Sequence, residues 1–310
     1  MHPAFSILFF TTLAGMAQGL IVMLAIAVLT GLAVAPGFLV TAVGVAEVML
    51  IAGLASSFLH LGRKMRAWRS VLMWRTSWMS REVIVLPAFI GLVALWWLLL
   101  HRGSMALPTW VLPVLLILGS AALWYCTAMI YACLRFIEEW AHPLTIINFT
   151  LIGLSSGFVL GCALAALAGE TRLLSAASPY ALALTLMAWF TRWLTLKRNS
   201  AIKHKSTLQS ATGIKSPHLV QKSMGMSAGA FNTREFFHGA SQPALKNVKL
   251  GFIVLAFAVP SLLLLWGVSI QQNWLFLLAL VAQAPGLIAE RWFFFAQAKH
   301  PQNLYYQTVS

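Results

Sequence analysis

The chain has 310 residues, of which 60% are hydrophobic and only 9% are charged. Because a soluble domain carries about 25% charged residues, this composition excludes a water-soluble fold for most of the length. The formal net charge is +14, with 21 Lys and Arg against seven acidic residues. These basic residues flank apolar stretches, so membrane topology explains them better than nucleic-acid binding, and we expect no nucleic-acid partner.

Eight apolar stretches are each long enough to cross a bilayer as a helix, which takes about 20 residues. We therefore predict an all-α polytopic membrane protein, a bundle of eight transmembrane helices in one integral membrane domain over residues 1–310. The N-terminal stretch lacks a basic region before its long apolar run, so we expect it to be the first span rather than a signal peptide. The predicted spans are 6–34, 38–60, 82–100, 109–135, 143–169, 179–197, 248–268 and 274–298.

Positive charge is distributed unequally between the two sides of these spans. An even number of spans places both termini on one side, which we call side A, and the opposite side is side B. The side-A connections hold six basic residues between 63 and 81 and most of those between 192 and 249, whereas side B has only Arg102 and Arg172. The positive-inside rule then predicts N-in and C-in topology in a bacterial inner membrane, with side A cytoplasmic.

Two side-A connections are unusual. The loop LGRKMRAWRSVLMWRTSWMSR, residues 61–81, mixes basic and Trp residues, as an amphipathic segment lying among the membrane lipids would. A topology determinant with an aromatic belt has the same composition and explains most of this pattern. The long loop 198–247 far exceeds the roughly 15 residues usual for a connection, and it contains FNTREFFHG. We interpret it as a cytoplasmic loop that docks a partner, in preference to a disordered linker.

Three glutamates lie in or at the ends of the apolar stretches. A charged carboxylate there costs about 2.5–3.5 kcal/mol on insertion scales, so each is a functional candidate. Glu47, inside the second span, is interpreted either as part of a proton path or as a neutral acid bonded to backbone. Glu290 precedes Arg291, but neighbours on a helix do not face each other, so we expect the partner of Glu290 on another helix.

The ends of the second and third spans carry a second candidate group at side A. His60 ends one span and Glu82 begins the next, with Arg63 and Arg66 between them. Hydrogen-bond donors and proton-transferring groups of these types suit a quinone head group. Interfacial residues that extend toward water have the same composition. One haem b between His60 and His142 is a further alternative, whereas no other metal site and no catalytic residue is predicted.

The strings HLGRKMRAW, from residue 60, and RTSWMSRE, from residue 75, resemble the membrane-anchor subunits of the dimethyl sulfoxide reductase family, which are related to polysulfide reductase anchors. The resemblance implies an anchor without a metal cofactor. Such an anchor holds an iron–sulfur subunit and a molybdopterin catalytic subunit and exchanges electrons with membrane quinone. It assigns the quinone site to His60, Arg66 and Glu82, and position alone adds Arg63 and Trp78, with Glu47 as a possible proton path.

Within that family, the long loop and the tail ERWFFFAQAKHPQNLYY look like the membrane subunit of cytoplasm-facing sulfite dehydrogenase complexes. This likeness implies that electrons from sulfite oxidation pass through a cytoplasmic iron–sulfur subunit to ubiquinone or menaquinone. One alternative is a quinol-oxidising anchor of a dimethyl sulfoxide or polysulfide-type reductase. An alternative of another class is a secondary transporter that uses Glu47.

Overall fold

A computed structural model describes residues 4–59, 64–103, 109–220, 222 and 238–301. Its described part is helical, without strands, and contains a 3-10 helix (Lys64–Met73) and a short helix α7 (Leu208–Thr212). The predicted all-α class and the eight spans are confirmed. The helices long and apolar enough to cross a membrane are α1 (Phe5–Leu29), α2 (Pro36–Leu59), α3 (Trp78–Arg102), α4 (Val111–Ala132), α5 (Pro143–Ala168), α6 (Thr171–Ser200), α8 (Gln242–Ile270) and α9 (Trp274–Ala296).

Several helices extend beyond the predicted spans. Helix α6 begins at Thr171 rather than 179 and ends at Ser200 rather than 197, and Arg192, which was counted with the side-A connections, lies well inside it. Helix α8 begins at Gln242, and the long loop 198–247 therefore contains α7 and the first turns of α8. Both helices are longer than their predicted spans for one reason. A helix continues past its apolar stretch as long as its polar side chains are solvated or paired. Residues 231–237 of FNTREFFHG lie outside the described residues.

The spans are arranged as two bundles of four helices. In the first, α1 and α3 each pack against both α2 and α4. In the second, α5 packs against α6 and α9, and α8 packs against the same two helices. Helix α1 also packs along α5, and α4 contacts α5, so these contacts join the bundles. One hydrophobic core runs through both of them.

The junction between α1 and α5 brings two backbones into direct contact. A Cβ atom added to Gly157 would overlap the backbone of Gly19 and Leu20, and one added to Gly19 would overlap the carbonyl of Gly153. Small residues four apart allow this approach in lipid, because they let helix backbones come close. The G-x-x-x-G motifs at 15–19 and 157–161 supply these small residues on the two helices.

Hydrogen bonds at the helix ends establish which connections share a face. At one face, the Ala35 amide donates to Glu170 Oε1 over 3.3 Å and joins the α1–α2 and α5–α6 turns. At the other face, Ser56 Oγ donates to the Ser6 carbonyl over 3.0 Å, and Arg198 Nη2 donates to the Glu138 carbonyl over 2.9 Å. The first face is side B and the second is side A, as the alternation of spans predicts.

Helix α8 contains a π-helical segment, Ile253–Ala258, just before Pro260. Proline has no N–H, so the Ala256 carbonyl loses its usual donor four residues on. Gln283 Nε2 of α9 supplies a hydrogen bond to that carbonyl over 3.3 Å. Gly286 lies against the same stretch of backbone, where a Cβ would overlap the Ala256 amide nitrogen. The irregular segment is therefore held by its packing on α9.

Candidate functional site

Glu82 lies buried in the second turn of α3, with only 8% of its surface exposed. The helix begins at Trp78 because Ser77 acts as its N-cap, accepting the Ser80 amide over 3.4 Å. The hydroxyl of Thr127, on α4, donates to Glu82 Oε1. Among the described residues, Thr127 alone hydrogen-bonds this carboxyl group, which leaves Oε2 for another partner.

The entrance to α3 is built from aromatic and guanidinium groups. The Arg81 guanidinium carbon lies 4.1 Å from the centroid of the Trp78 ring, a cation–π distance. The same side chain donates to the carbonyls of Trp74 and Arg75 over 2.9 and 2.8 Å. Trp78 meets Tyr125 of α4 edge-on, with ring centroids 5.3 Å apart. These contacts fix the end of the 61–81 loop beside Glu82.

The structure brings together two of the five predicted quinone-site residues. Trp78 and Glu82 share the first turns of α3. Arg66 lies exposed in the 3-10 helix and forms no ion pair with Glu82 in the described structure. His60 and Arg63 lie outside the described residues. Sequence reasoning missed Thr127. The sequence offered only a general indication of such a residue, because a buried carboxyl group needs a hydrogen-bond donor on a neighbouring helix.

Glu47 lies half-buried near the middle of α2, which packs against α1 and α3. Its Oε2 atom is buried without a hydrogen-bond partner among the described residues. Buried polar atoms normally have a partner in protein or in ordered water. The alternative of a bond from this atom to neighbouring backbone therefore has no support, and a role in a proton path stays a prediction.

A buried ionic cluster joins α6 to α9. Arg192 Nε lies 2.7 Å from Glu290 Oε1, and Arg291 Nε lies 3.4 Å from Glu290 Oε2. The expected partner of Glu290 on another helix is confirmed, and it is Arg192. The expectation that Arg291 points away from Glu290 is wrong, because the long arginine side chain folds back along its own helix. Two guanidinium groups and one carboxylate leave an excess of one positive charge.

Polar and aromatic side chains of α5 and α6 surround this cluster. Asn148 Nδ2 donates to Thr195 Oγ1 over 2.7 Å, and Thr191 Oγ1 donates to Asn148 Oδ1 over 2.9 Å. The Arg291 guanidinium carbon lies 3.9 Å from the centroid of the Phe149 ring. The cluster was missed because Arg192 was counted with the basic residues of the side-A connections and not considered as a buried side chain. The sequence did indicate a buried polar face on α6, because polar residues such as Thr191 and Thr195 recur there at helical spacing.

His142 caps α5 at side A. Its Nδ1 accepts the Leu144 amide over 3.1 Å. Burial and then the charge of Arg198 lower the pKa of His142, which keeps the ring neutral and able to accept. The residue that the haem alternative requires therefore has a structural role in starting a helix.

We expect His142→Asn to preserve stability, because asparagine also caps helices, whereas His142→Ala should cost about 1 kcal/mol. Thermal unfolding of the purified membrane subunit in detergent measures this difference. The haem alternative makes a different prediction: a Soret band in the native subunit that is lost in both variants. Such a band would contradict a purely structural role for His142.

Comparison with known proteins decides the family. A family model described as DMSO reductase anchor subunit (DmsC) matches residues 1–295. The chain belongs to this family of anchor subunits. It is similar to the C subunit of sulfite dehydrogenase from Allochromatium vinosum, with 45% identity over an alignment of 326 residues that spans 100% of both proteins. It is also similar to the C component of anaerobic dimethyl sulfoxide reductase from Escherichia coli K12, with 33% identity over 141 residues, or 44% of this protein and 49% of that one.

The resemblance read from the strings at 60–68 and 75–82 is thus confirmed. As a DMSO reductase anchor subunit with eight apolar spans, the protein is an integral membrane protein. It is the anchor of an oxidoreductase complex whose other subunits are a catalytic and an iron–sulfur subunit.

Proposed function

We propose that this anchor subunit passes electrons from its iron–sulfur partner to quinone in a bacterial inner membrane, within a complex that oxidises sulfite to sulfate. The observation that carries the proposal is the buried Glu82 carboxyl group at side A, held by Thr127 and bordered by Trp78 and Arg81. The full-length similarity to the sulfite dehydrogenase protein supports sulfite as the electron donor of the complex. It favours quinone reduction over the quinol oxidation of the alternative anchor.

The residues of this protein supply binding and protons in this function. A quinone takes up two electrons and two protons when it is reduced to quinol. Glu82 donates a proton, and Thr127 holds the carboxyl group in place through a hydrogen bond to Oε1. Trp78 provides an apolar wall for a ring, and His60, Arg63 and Arg66 provide further donors to quinone oxygens. We propose no further redox centre in this protein and no haem.

Side A faces the cytoplasm in this proposal, and the loop 198–247 docks the iron–sulfur subunit there. The support is the charge asymmetry between the two faces, with Arg172 and Arg102 the only Arg or Lys residues on side B. We expect reporter fusions after residue 205 to behave as cytoplasmic and fusions at Gly103 to behave as periplasmic. Labelling of the 64–73 segment by an impermeant reagent added outside the cell would contradict this orientation and the preferred reaction with it.

Purification distinguishes the anchor from the transporter alternative that uses Glu47. We expect the protein to co-purify with two larger soluble subunits, and quinone to quench the fluorescence of the isolated subunit. The fluorescence arises from tryptophans, of which Trp78 borders the proposed site. A protein that purifies alone and catalyses substrate uptake in vesicles would be a transporter. Co-purification without quenching would indicate a passive anchor whose quinone site lies elsewhere.

A further inference from the structure

A polar cleft lies where the two bundles meet, between α1, α4, α5 and α9. Thr127, the partner of Glu82, lines one part of it, and Arg291, the partner of Glu290, lines another. The lining residues extend from the side-A halves of these four helices to their middles. The cleft therefore borders both the candidate quinone site and the buried ionic cluster.

Three buried polar atoms at the cleft lack a hydrogen-bond partner among the described residues. They are Thr12 Oγ1, Gln18 Oε1 and Trp124 Nε1. Gln18 and Trp124 are only 2% and 4% exposed. Gly153 provides the space for this indole, because a Cβ there would overlap Trp124 Nε1. Orphaned polar atoms in a shared space indicate an ordered water, since buried water typically makes about three hydrogen bonds to such groups.

The cleft has room for ordered water. The space that a water can occupy is about 20 Å3, and a single water needs roughly 10–15 Å3 measured in the same way. Neither Trp78 nor Glu82 lines the cleft, so it is distinct from the quinone site proposed beside those two residues.

The groups that line the cleft determine which hydrogen bonds a water there can donate and which it can accept. Indole and guanidinium groups donate only, so a water beside Trp124 and Arg291 accepts from them and turns its hydrogens elsewhere. The hydroxyl hydrogen of Thr127 already goes to Glu82. Thr127 can therefore only accept from the cleft. Every donor in such a series points toward the Glu82 carboxyl group, which favours its ionised form.

We propose that ordered water bound in this cleft completes a hydrogen-bond chain from Arg291 and Trp124 through Thr127 to Glu82, and that the chain stabilises the Glu82 carboxylate. This role deepens the proposed function and rests on it: after Glu82 gives its proton to a quinone oxygen, the negative charge left behind is the charge that the chain stabilises. Arg291, Trp124 and Thr127 act as positioning residues, because they act on quinone through Glu82.

Other ionisable groups lie on α3 and on the elements that pack against it, and a test must leave them unchanged. Arg81 precedes Glu82 on α3, Cys126 and Tyr131 lie near it on α4, and α2 carries Glu47. The 3-10 helix adds exposed basic residues, Arg66 and Arg69. The change Trp124→Phe removes one donor from the cleft and alters none of these groups.

Hydroxyl-radical footprinting by X-ray radiolysis of the purified complex tests for the water directly. Radicals form from water beside the modified side chain, so Trp124 and Met16, which line the cleft, should be labelled several-fold faster than Trp96 and Met23. The controls are matched, since Trp96 is as buried as Trp124, at 4%, and Met23 is buried without lining the cleft. Equal labelling of the two sets would overturn the proposal, whatever the complex does with quinone.

Infrared spectroscopy of the carboxyl C=O stretch tests the connection to Glu82, with Glu82→Gln used to assign the band. At a fixed pH we expect a larger neutral fraction of Glu82 in Trp124→Phe and in Thr127→Val, and the native fraction in Thr127→Ser. Ser261→Ala, which alters a buried hydroxyl of α8 away from the cleft, is the control. An unchanged band in Trp124→Phe would overturn the proposed hydrogen-bond chain. Neither measurement needs quinone, so failure of the proposed electron transfer would be seen separately.

Discussion

Replacing Glu82 by glutamine or alanine, or His60 by alanine, is expected to abolish quinone reduction by the complex while dye-linked sulfite oxidation continues. Glu82→Gln keeps the size of the side chain and its acceptor for Thr127 but removes the proton that the acid donates. Proton transfer by a positioned group contributes about 100-fold to 10,000-fold to a rate. The measurement is the rate of quinol formation in membranes against the rate with an artificial dye.

The control is Glu170→Gln, which changes a carboxylate on side B, where Glu170 accepts the Ala35 amide. We expect native quinone turnover in this variant. Because the dye takes electrons before they reach the membrane subunit, dye reduction that stays in the membrane fraction shows that the catalytic subunits are active and still attached. Native quinone turnover in both the Glu82 and the His60 variants would remove the basis for this site.

A second large effect is expected from Glu290→Gln, which should destabilise the membrane subunit by about 3–5 kcal/mol. Removing one partner of a buried ion pair leaves uncompensated charge, which is the costly outcome. Here the change leaves two guanidinium groups, of Arg192 and Arg291, without their shared carboxylate. Arg192→Met should cost less, because Arg291 and Glu290 still neutralise each other.

The ranking of three variants tests this charge balance, with thermal unfolding in detergent as the measurement. Glu290→Gln should have the lowest midpoint, and the double variant Arg192→Met, Glu290→Gln should recover part of the loss because only one guanidinium remains unpaired. Glu138→Gln, a half-exposed side-A residue, should remain close to the native midpoint. A double variant less stable than Glu290→Gln alone would show that packing of Arg192, and not charge balance, determines the stability.

The eight spans were predictable because hydropathy and helix length report directly on the bilayer. Glu82 could be selected as a candidate from the sequence, since a carboxyl group beside an apolar span needs an explanation, and its role in quinone reduction stays a prediction. Its partner Thr127 could not be selected in this way, because no pattern in the sequence shows which residue of α4 faces α3. That information lies in helix packing, which the sequence does not display.

Charge misled the prediction at the end of α6. Arg192 was counted with the basic residues of the side-A connections, yet it lies inside α6, where Glu290 compensates for its charge from a helix nearly a hundred residues later in the sequence. The sixth predicted span began at Pro179, which instead lies within the helix. In both cases a tertiary contact or the surrounding helix outweighed the local preference. The predicted roles of His60 and Arg63 concern positions outside the described residues.

The direct backbone contact of Gly19 and Gly157 has a mechanical consequence. Two helices that touch main chain to main chain have no flexible side chains between them to absorb sliding, so the halves of the molecule are expected to move as one body. Alternating access requires such halves to rock against each other, and this junction opposes that motion. A fixed frame instead suits electron transfer, because the separation between donor and acceptor stays constant from one turnover to the next.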